Sequence, residues 1–164
     1  MSRLLAIEPL TIEAFEPFGD VIEPDNAREI RLINGGTASR FHDLAPVDVS
    51  SEGGRPLVSI FRGKPFAFPV ANAMMERHPL GSQAFMPLSP RPFLIAVAPD
   101  EDGRPGTPRI FLGEGRGVAY RRNTWHHPLL ALEAVSDFLV VDRGGDGVNL
   151  EEADYAEAFR VEAL

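Results

Sequence analysis

Cysteine is absent from the 164 residues, which excludes disulfides, thiolate metal sites, iron-sulfur clusters and a cysteine nucleophile together. Any metal must sit on histidine, carboxylate or amide ligands. Long hydrophobic runs are missing as well: no apolar stretch approaches the roughly 20 residues that cross a bilayer. The start, Met1-Ser2-Arg3-Leu4-Leu5-Ala6-Ile7, meets Glu8 and Pro9 too early to read as a signal peptide. A cytoplasmic protein is expected. Basic charge is in short supply, with 16 Lys+Arg against 24 Asp+Glu, so a formal net charge of −8 repels phosphate backbones and anionic lipid surfaces. Neither nucleic acid nor membrane is an expected partner.

What is present is globular: 44% hydrophobic and 24% charged residues, in a length that suits one domain over 1–164. Fifteen Gly and fifteen Pro are spread along the whole chain and chop it into short segments that long helices do not tolerate. Strand-like apolar segments recur at Leu57–Phe61, Phe66–Phe68, Phe93–Ala98, Arg109–Leu112, Gly117–Tyr120 and Asp137–Val141. No stretch between residues 57 and 142 supplies the crossover helices of a parallel sheet, so an antiparallel barrel or sandwich is expected. Helix is confined to the ends. Thr11–Phe15 suits a single turn, and Asn149 with Glu152 three residues on reads as a capping-box-like start to a C-terminal helix through Phe159. The charged, breaker-rich segment Pro99–Pro108 reads as a surface loop between two strands.

Two of the three places that hold histidine are dense with other polar groups. Glu76-Arg77-His78 is followed by Gln83, and Trp125-His126-His127-Pro128 lies at another turn. On an extended chain alternate residues share a face, so Glu76 and His78 point one way and Arg77 the other. Gln83 on the next strand and His126 from a distant one would complete a set of nitrogen and oxygen donors suited to a divalent first-row metal. By the same alternation His127 turns away from His126. Elsewhere Arg62, Arg77, Arg121, Arg122 and Arg143 are the local arginines able to meet a carboxylate, and Arg62 ends an alternating strand from which it could point inward. The segment Asp142-Arg143-Gly144-Gly145 reads as a turn with a local ion pair. His42 lies beside Asp43 and Arg40, as a substrate-side group or a plain surface histidine.

Both polar clusters have the spacing of the two cupin motifs. Glu76-x-His78-x4-Gln83 resembles the first, with Glu for its leading His and Gln for its Glu, and Gly115-x5-Arg121-x-Asn123-x2-His126 resembles the second. Asn123 stands at the turn glycine, and asparagine is the usual substitute where φ must be positive. The wording around them is more specific. Glu76 to Phe85, Tyr120 to Leu129 and Asp137 to Gly145 closely resemble the ureidoglycolate lyase family, as do Phe18-Gly19-Asp20-Val21-Ile22, Ile33-Asn34-Gly35-Gly36 and Arg40-Phe41-His42-Asp43-Leu44. The resemblance implies a homodimeric cupin-type β-barrel with minor helices at its ends, splitting (S)-ureidoglycolate into glyoxylate and urea in allantoin and purine breakdown. It also implies a divalent metal, with nickel named for the family, and no organic cofactor.

That reaction removes a hydroxyl proton and protonates a departing urea nitrogen, so one base and one acid suffice. Glu76, His78 and His126 are the expected catalytic groups, with Gln83 completing the metal set and Arg62, Gln83, Arg143 and His42 expected to contact substrate. Two other readings stand beside it. A cupin-like module could bind a small carboxylate without turnover, or the chain could be a different cupin enzyme such as a sugar isomerase or a dioxygenase, the last of which would want a third imidazole that the matched positions lack.

Overall fold

A computed structural model describes residues 2–164. The Pro/Gly-punctuated segments pair into two curled sheets that face one another. The larger runs, in spatial order, through Arg3–Leu4, Glu151–Val161, Val70–Arg77, Trp125–His126, Pro92–Ala98, Arg109–Glu114 and Ile7–Pro9. The smaller runs through Gly19–Ile22, Gly117–Tyr120, Gln83–Pro87, Ser136–Gly144 and Arg55–Gly63. The expectation of a mainly antiparallel β architecture holds for the interior pairings. Two short N-terminal strands instead add in parallel, Arg3–Leu4 beside Phe159–Arg160 and Ile7–Pro9 beside Ile110–Leu112. Both join strands more than a hundred residues away, so no tight turn dictates their direction.

Period-two alternation sends Phe85, Phe138, Val140, Val118 and Tyr120 inward from the smaller sheet to meet Phe93, Ile95, Val97 and Phe111 from the larger. Phe15, on the single helical turn Ile12–Phe15, plugs one end of this core edge-on to Phe111 at 5.6 Å. Thr11 caps that turn by accepting the Ala14 N–H at 3.1 Å, as its sequence suggests. A second apolar cluster lies on the other face of the larger sheet, where Leu94, Ala96 and Ala98 pack with Trp125, Met75, Ile110 and Phe159. The Pro92–Ala98 strand is therefore buried on both faces, which explains its unbroken apolar run. Arg109 grips Glu8 with two hydrogen bonds of 3.0 and 2.7 Å and holds the N-terminal strand on this body.

Two expected elements differ. Phe66–Phe68 forms no strand, only an isolated bridge from Phe66 to Leu132, because Pro65 and Pro69 flank it without N–H donors. The C-terminal helix is instead the strand Glu151–Val161, paired antiparallel with Val70–Arg77 from Glu151 opposite Arg77 to Val161 opposite Val70. Burial decides against the high helix propensity of its Glu and Ala residues: Phe159 and Val161 seal the second core, and Ala153 and Tyr155 pack onto it. The Pro99–Pro108 loop is a small exposed hairpin, Asp100–Glu101 against Arg104–Pro105. Among the described residues no helix is long and apolar enough to cross a membrane.

Candidate metal and active site

The Val70–Arg77 strand carries Glu76 into the space between the sheets, directly across the ladder from His126. Arg77 turns the opposite way, as alternation requires. Its guanidinium lies 4.3 Å over the Trp125 ring and pairs with Asp100 at 2.7 Å and Glu151 at 2.6 Å. A turn completes the frame. Asn123 adopts the left-handed conformation expected of it, φ 70°, and its backbone N–H donates to the His78 carbonyl at 2.9 Å, joining the two polar segments.

Glu76, His78 and His126 converge, with their candidate donor atoms all within 4.8 Å of one another. Glu76 Oε1 lies 3.6 Å from His126 Nε2 and 4.0 Å from His78 Nε2. These gaps exceed a hydrogen bond. Two donors each about 2.1 Å from one ion lie at most about 4.2 Å apart, so both gaps suit an ion between them.

The ring nitrogens agree. His78 Nδ1 lies 2.8 Å from the Asn149 carbonyl and His126 Nδ1 lies 2.9 Å from the Thr124 carbonyl. A carbonyl only accepts, so each Nδ1 carries a proton and in the neutral ring Nε2 is the nitrogen with the lone pair, the tautomer a metal ligand needs. Both Nε2 atoms are buried without a protein partner, and so is Gln83 Oε1. Gln83 is oriented by its own neighbour: its Nε2 donates to Asp142 Oδ2 at 3.2 Å, which leaves the amide oxygen as the unpaired atom. Two nitrogens and a carboxylate converge, with the amide oxygen of Gln83 in the same cavity wall, and such donors suit a divalent first-row ion.

Electrostatics follow from this crowding. Burial pushes the Glu76 carboxyl up, but a proton on His126 and the positive charge that His126, His78 and His127 carry when protonated outweigh that and set it below the ordinary carboxylate range. Tyr120 stacks on His126 with ring centroids 4.3 Å apart and planes 13° from parallel. Burial, reinforced by the Glu76 charge, pushes its phenol up, so Tyr120 stays protonated. His127 occupies different surroundings. Its Nδ1 meets the Pro128 carbonyl at 2.7 Å, its ring is edge-on to Phe159 of the second core, and burial lowers its pKa.

A cavity of about 420 Å³ opens beside the cluster, with Glu76 and Gln83 in its wall and Phe61, Phe66, Lys64 and Leu129 around it. Arg62 reaches only its rim. Register pairs Arg62 with Asp137 on the outer face of the smaller sheet, where two bonds of 2.8 and 3.0 Å hold the guanidinium, so it does not point inward. Phe61 takes the inward place, edge-on to Phe85 at 5.6 Å.

Arg143 is also structural in placement. It is buried and donates to the carbonyls of Ser51 and Asp146, bracing the 51–54 turn, and the expected ion pair with Asp142 does not form because the two residues face opposite sides of their strand. His42 lines a separate cavity with Asp20, Arg28 and Asp43, away from Glu76. Asp142, Asn149, Tyr120 and Lys64 are the residues sequence reasoning passed over. Counting in twos from the inward Phe138 and Val140 places Asp142 inside, and the same count from Val118 places Tyr120 there. Asn149 had no comparable signal.

Residues 2–162 match the family model described as ureidoglycolate lyase. The chain belongs to the ureidoglycolate lyase family. It is 59% identical over 160 residues to ureidoglycolate lyase 1 of Rhizobium meliloti strain 1021, covering 97% of this chain and 94% of that one. To ureidoglycolate lyase of Rhizobium etli strain CIAT 652 it is 58% identical, with 97% and 96% covered. To that of Brucella anthropi it is 58% identical, with 96% and 94% covered. Among solved structures, a point mutant of Bacillus subtilis oxalate decarboxylase aligns with TM-score 0.36 and 14% identity over 65% of this chain and 29% of that one. Family membership extends over both polar segments, so the site lies within the shared sequence.

Proposed function

We propose that this protein is a ureidoglycolate lyase of allantoin breakdown, working in the cytoplasm and releasing glyoxylate and urea from (S)-ureidoglycolate. The observation that carries the reading is the convergence of Glu76, His78 and His126 with unpartnered Nε2 atoms in a chain of this family. Glu76, His78, Gln83 and His126 would hold a divalent ion, nickel by the family resemblance. Such an ion supplies Lewis acidity toward the substrate hydroxyl and a template for its carboxylate.

The remaining chemistry belongs to the side chains. Glu76, held in its ionised form, takes the hydroxyl proton as the carbon-oxygen double bond forms and the carbon-nitrogen bond breaks. The departing nitrogen takes that proton, so atoms and charge balance without redox or an organic cofactor. His78 and His126 keep their Nε2 atoms turned toward Glu76, where the ion would sit, because backbone carbonyls fix the opposite nitrogens.

The test is an assay of the purified, metal-supplemented protein with (S)-ureidoglycolate. Equal release of glyoxylate and urea is expected. Ammonia in place of urea, or binding without product, would reject the lyase reading, the latter in favour of a sensing module.

The same reading includes a homodimer. On the outer face of the smaller sheet the edge strand Arg55–Gly63 exposes Val58 and Ile60, 72% and 53% accessible, beside Leu139 and Val141. Such an apolar edge is a liability unless covered. The Arg62–Asp137 pair on the same face offers both charges to an identical face across a two-fold axis, so a second copy is the fitting occupant. Light scattering at micromolar concentration is expected to give twice the chain mass, and Ile60→Asp to return it to the monomer value.

A further inference from the structure

The ionisable side chains inside the cavity are acidic where an anionic substrate must bind. Glu76 forms part of its wall, and Asp142 lies directly behind Gln83. A divalent ion would offset those two carboxylates and leave the substrate's own charge uncompensated, so a carboxylate ligand calls for a further cation at the opening. Two cations line it. Arg62 is already neutralised by its two-bond pair with Asp137 and faces the outside of the sheet. Lys64 is exposed and makes no ion pair or hydrogen bond with the described residues. It is also the single lysine of the chain, against fifteen arginines.

We propose that Lys64 is the carboxylate anchor of the cavity, selecting small α-hydroxy and α-keto carboxylates and directing their α-carbon toward Glu76; this rests on the lyase reading above. The residue type fits the task. An ammonium on a four-carbon stem is a mobile point charge with three donors, able to follow a ligand that enters and leaves, whereas a guanidinium fork is made for fixed bidentate pairs such as Arg62 with Asp137. Its place fits as well. Lys64 follows Gly63 at the end of the Arg55–Gly63 strand, where any Cβ at residue 63 would come within 3.0 Å of the Leu129 side chain. Glycine there lets the cavity wall close up, which brings Lys64 to the mouth.

Three measurements on the metal-loaded protein test this. Lys64→Gln is expected to raise KM for ureidoglycolate by about tenfold or more with kcat within about threefold, since the anchor acts alike in ground and transition states. Lys64→Arg is expected to recover most of that loss. Turnover of the neutral amide of ureidoglycolate, which has no carboxylate to anchor, is expected to be the same in Lys64→Gln and the parent. Calorimetric titration with glyoxylate, which needs no turnover, is expected to show the same tenfold weakening. A parent that binds glyoxylate but cleaves nothing would reject the lyase reading and leave the anchor tested by the titration alone. Unchanged KM and glyoxylate affinity in Lys64→Gln would overturn the anchor, and so would an equal loss against the neutral amide.

Discussion

Replacing His126 or His78 by alanine is expected to abolish stoichiometric binding of a divalent ion and to lower kcat by roughly 10²-fold or more. Each imidazole contributes one of three convergent donors, and neither has a neighbour able to take its place. The two variants differ in side effects. His126 is 2% exposed and carries the Tyr120 ring on its face, so its loss also opens a void and is expected to lower Tm. His78 is 18% exposed and fixed chiefly through its Nδ1, so His78→Ala should separate chemistry from stability. Metal content by elemental analysis, kcat from glyoxylate release and melting by circular dichroism report the three effects independently. His127→Ala is the control. Its ring packs toward Phe159, so turnover should fall less than in His126→Ala even if stability falls comparably. Equal losses of kcat at His126 and His127 would contradict the facing of the Trp125–His126 strand.

The site was legible in the sequence to the extent that it is built locally. Glu76, His78 and Gln83 lie within eight residues, Glu76 and Gln83 on consecutive strands and His78 just past the first, where an extended chain alternates its facing, and Asn123 declared a positive-φ turn by its residue type. What escaped depends on distant pairing. The Glu151–Val161 strand keeps its alternation, with Ala153, Tyr155, Phe159 and Val161 all turned to the second core, but Glu157 interrupts the apolar set where the register with Val70–Arg77 shifts between Asp154 and Phe159. Without the partner strand in view, its Glu and Ala content reads as helix. Asn149 then looked like a cap. In the fold its side chain accepts the Leu80 N–H at 2.8 Å while its carbonyl fixes His78, a role that exists only once residues 78 and 149 meet. Arg62 failed for a related reason. Alternation divides Phe61 from Arg62 but does not say which is inside, and that was decided by Phe85 on one side of the sheet and Asp137 on the other.

Gly19→Ala is expected to cost more than about 4 kcal/mol of stability, or to prevent folding, although residue 19 touches no substrate. A Cβ built there would stand 1.8 Å from the Ala119 carbonyl oxygen and 2.9 Å from its carbon, and both are backbone atoms of a central strand that cannot rotate away. Gly19 pairs with Tyr120 at the end of this ladder, so relief requires either detaching Gly19–Ile22 or displacing Gly117–Tyr120. The second route moves the ring that stacks on His126 and hence the metal set, which links this turn to the site. Denaturant titration of Gly19→Ala should show the loss in the midpoint, and any folded fraction should bind divalent ions more weakly. Gly35→Ala separates crowding from backbone strain: Gly35 also has positive φ, 65°, but a Cβ there meets nothing within 4 Å. It should cost only about 1 kcal/mol, the ordinary penalty of a left-handed non-glycine residue. If Gly19→Ala matched Gly35→Ala, the close approach of Gly19 to the Ala119 carbonyl would be wrong, and with it the path by which the N-terminal strand supports Tyr120.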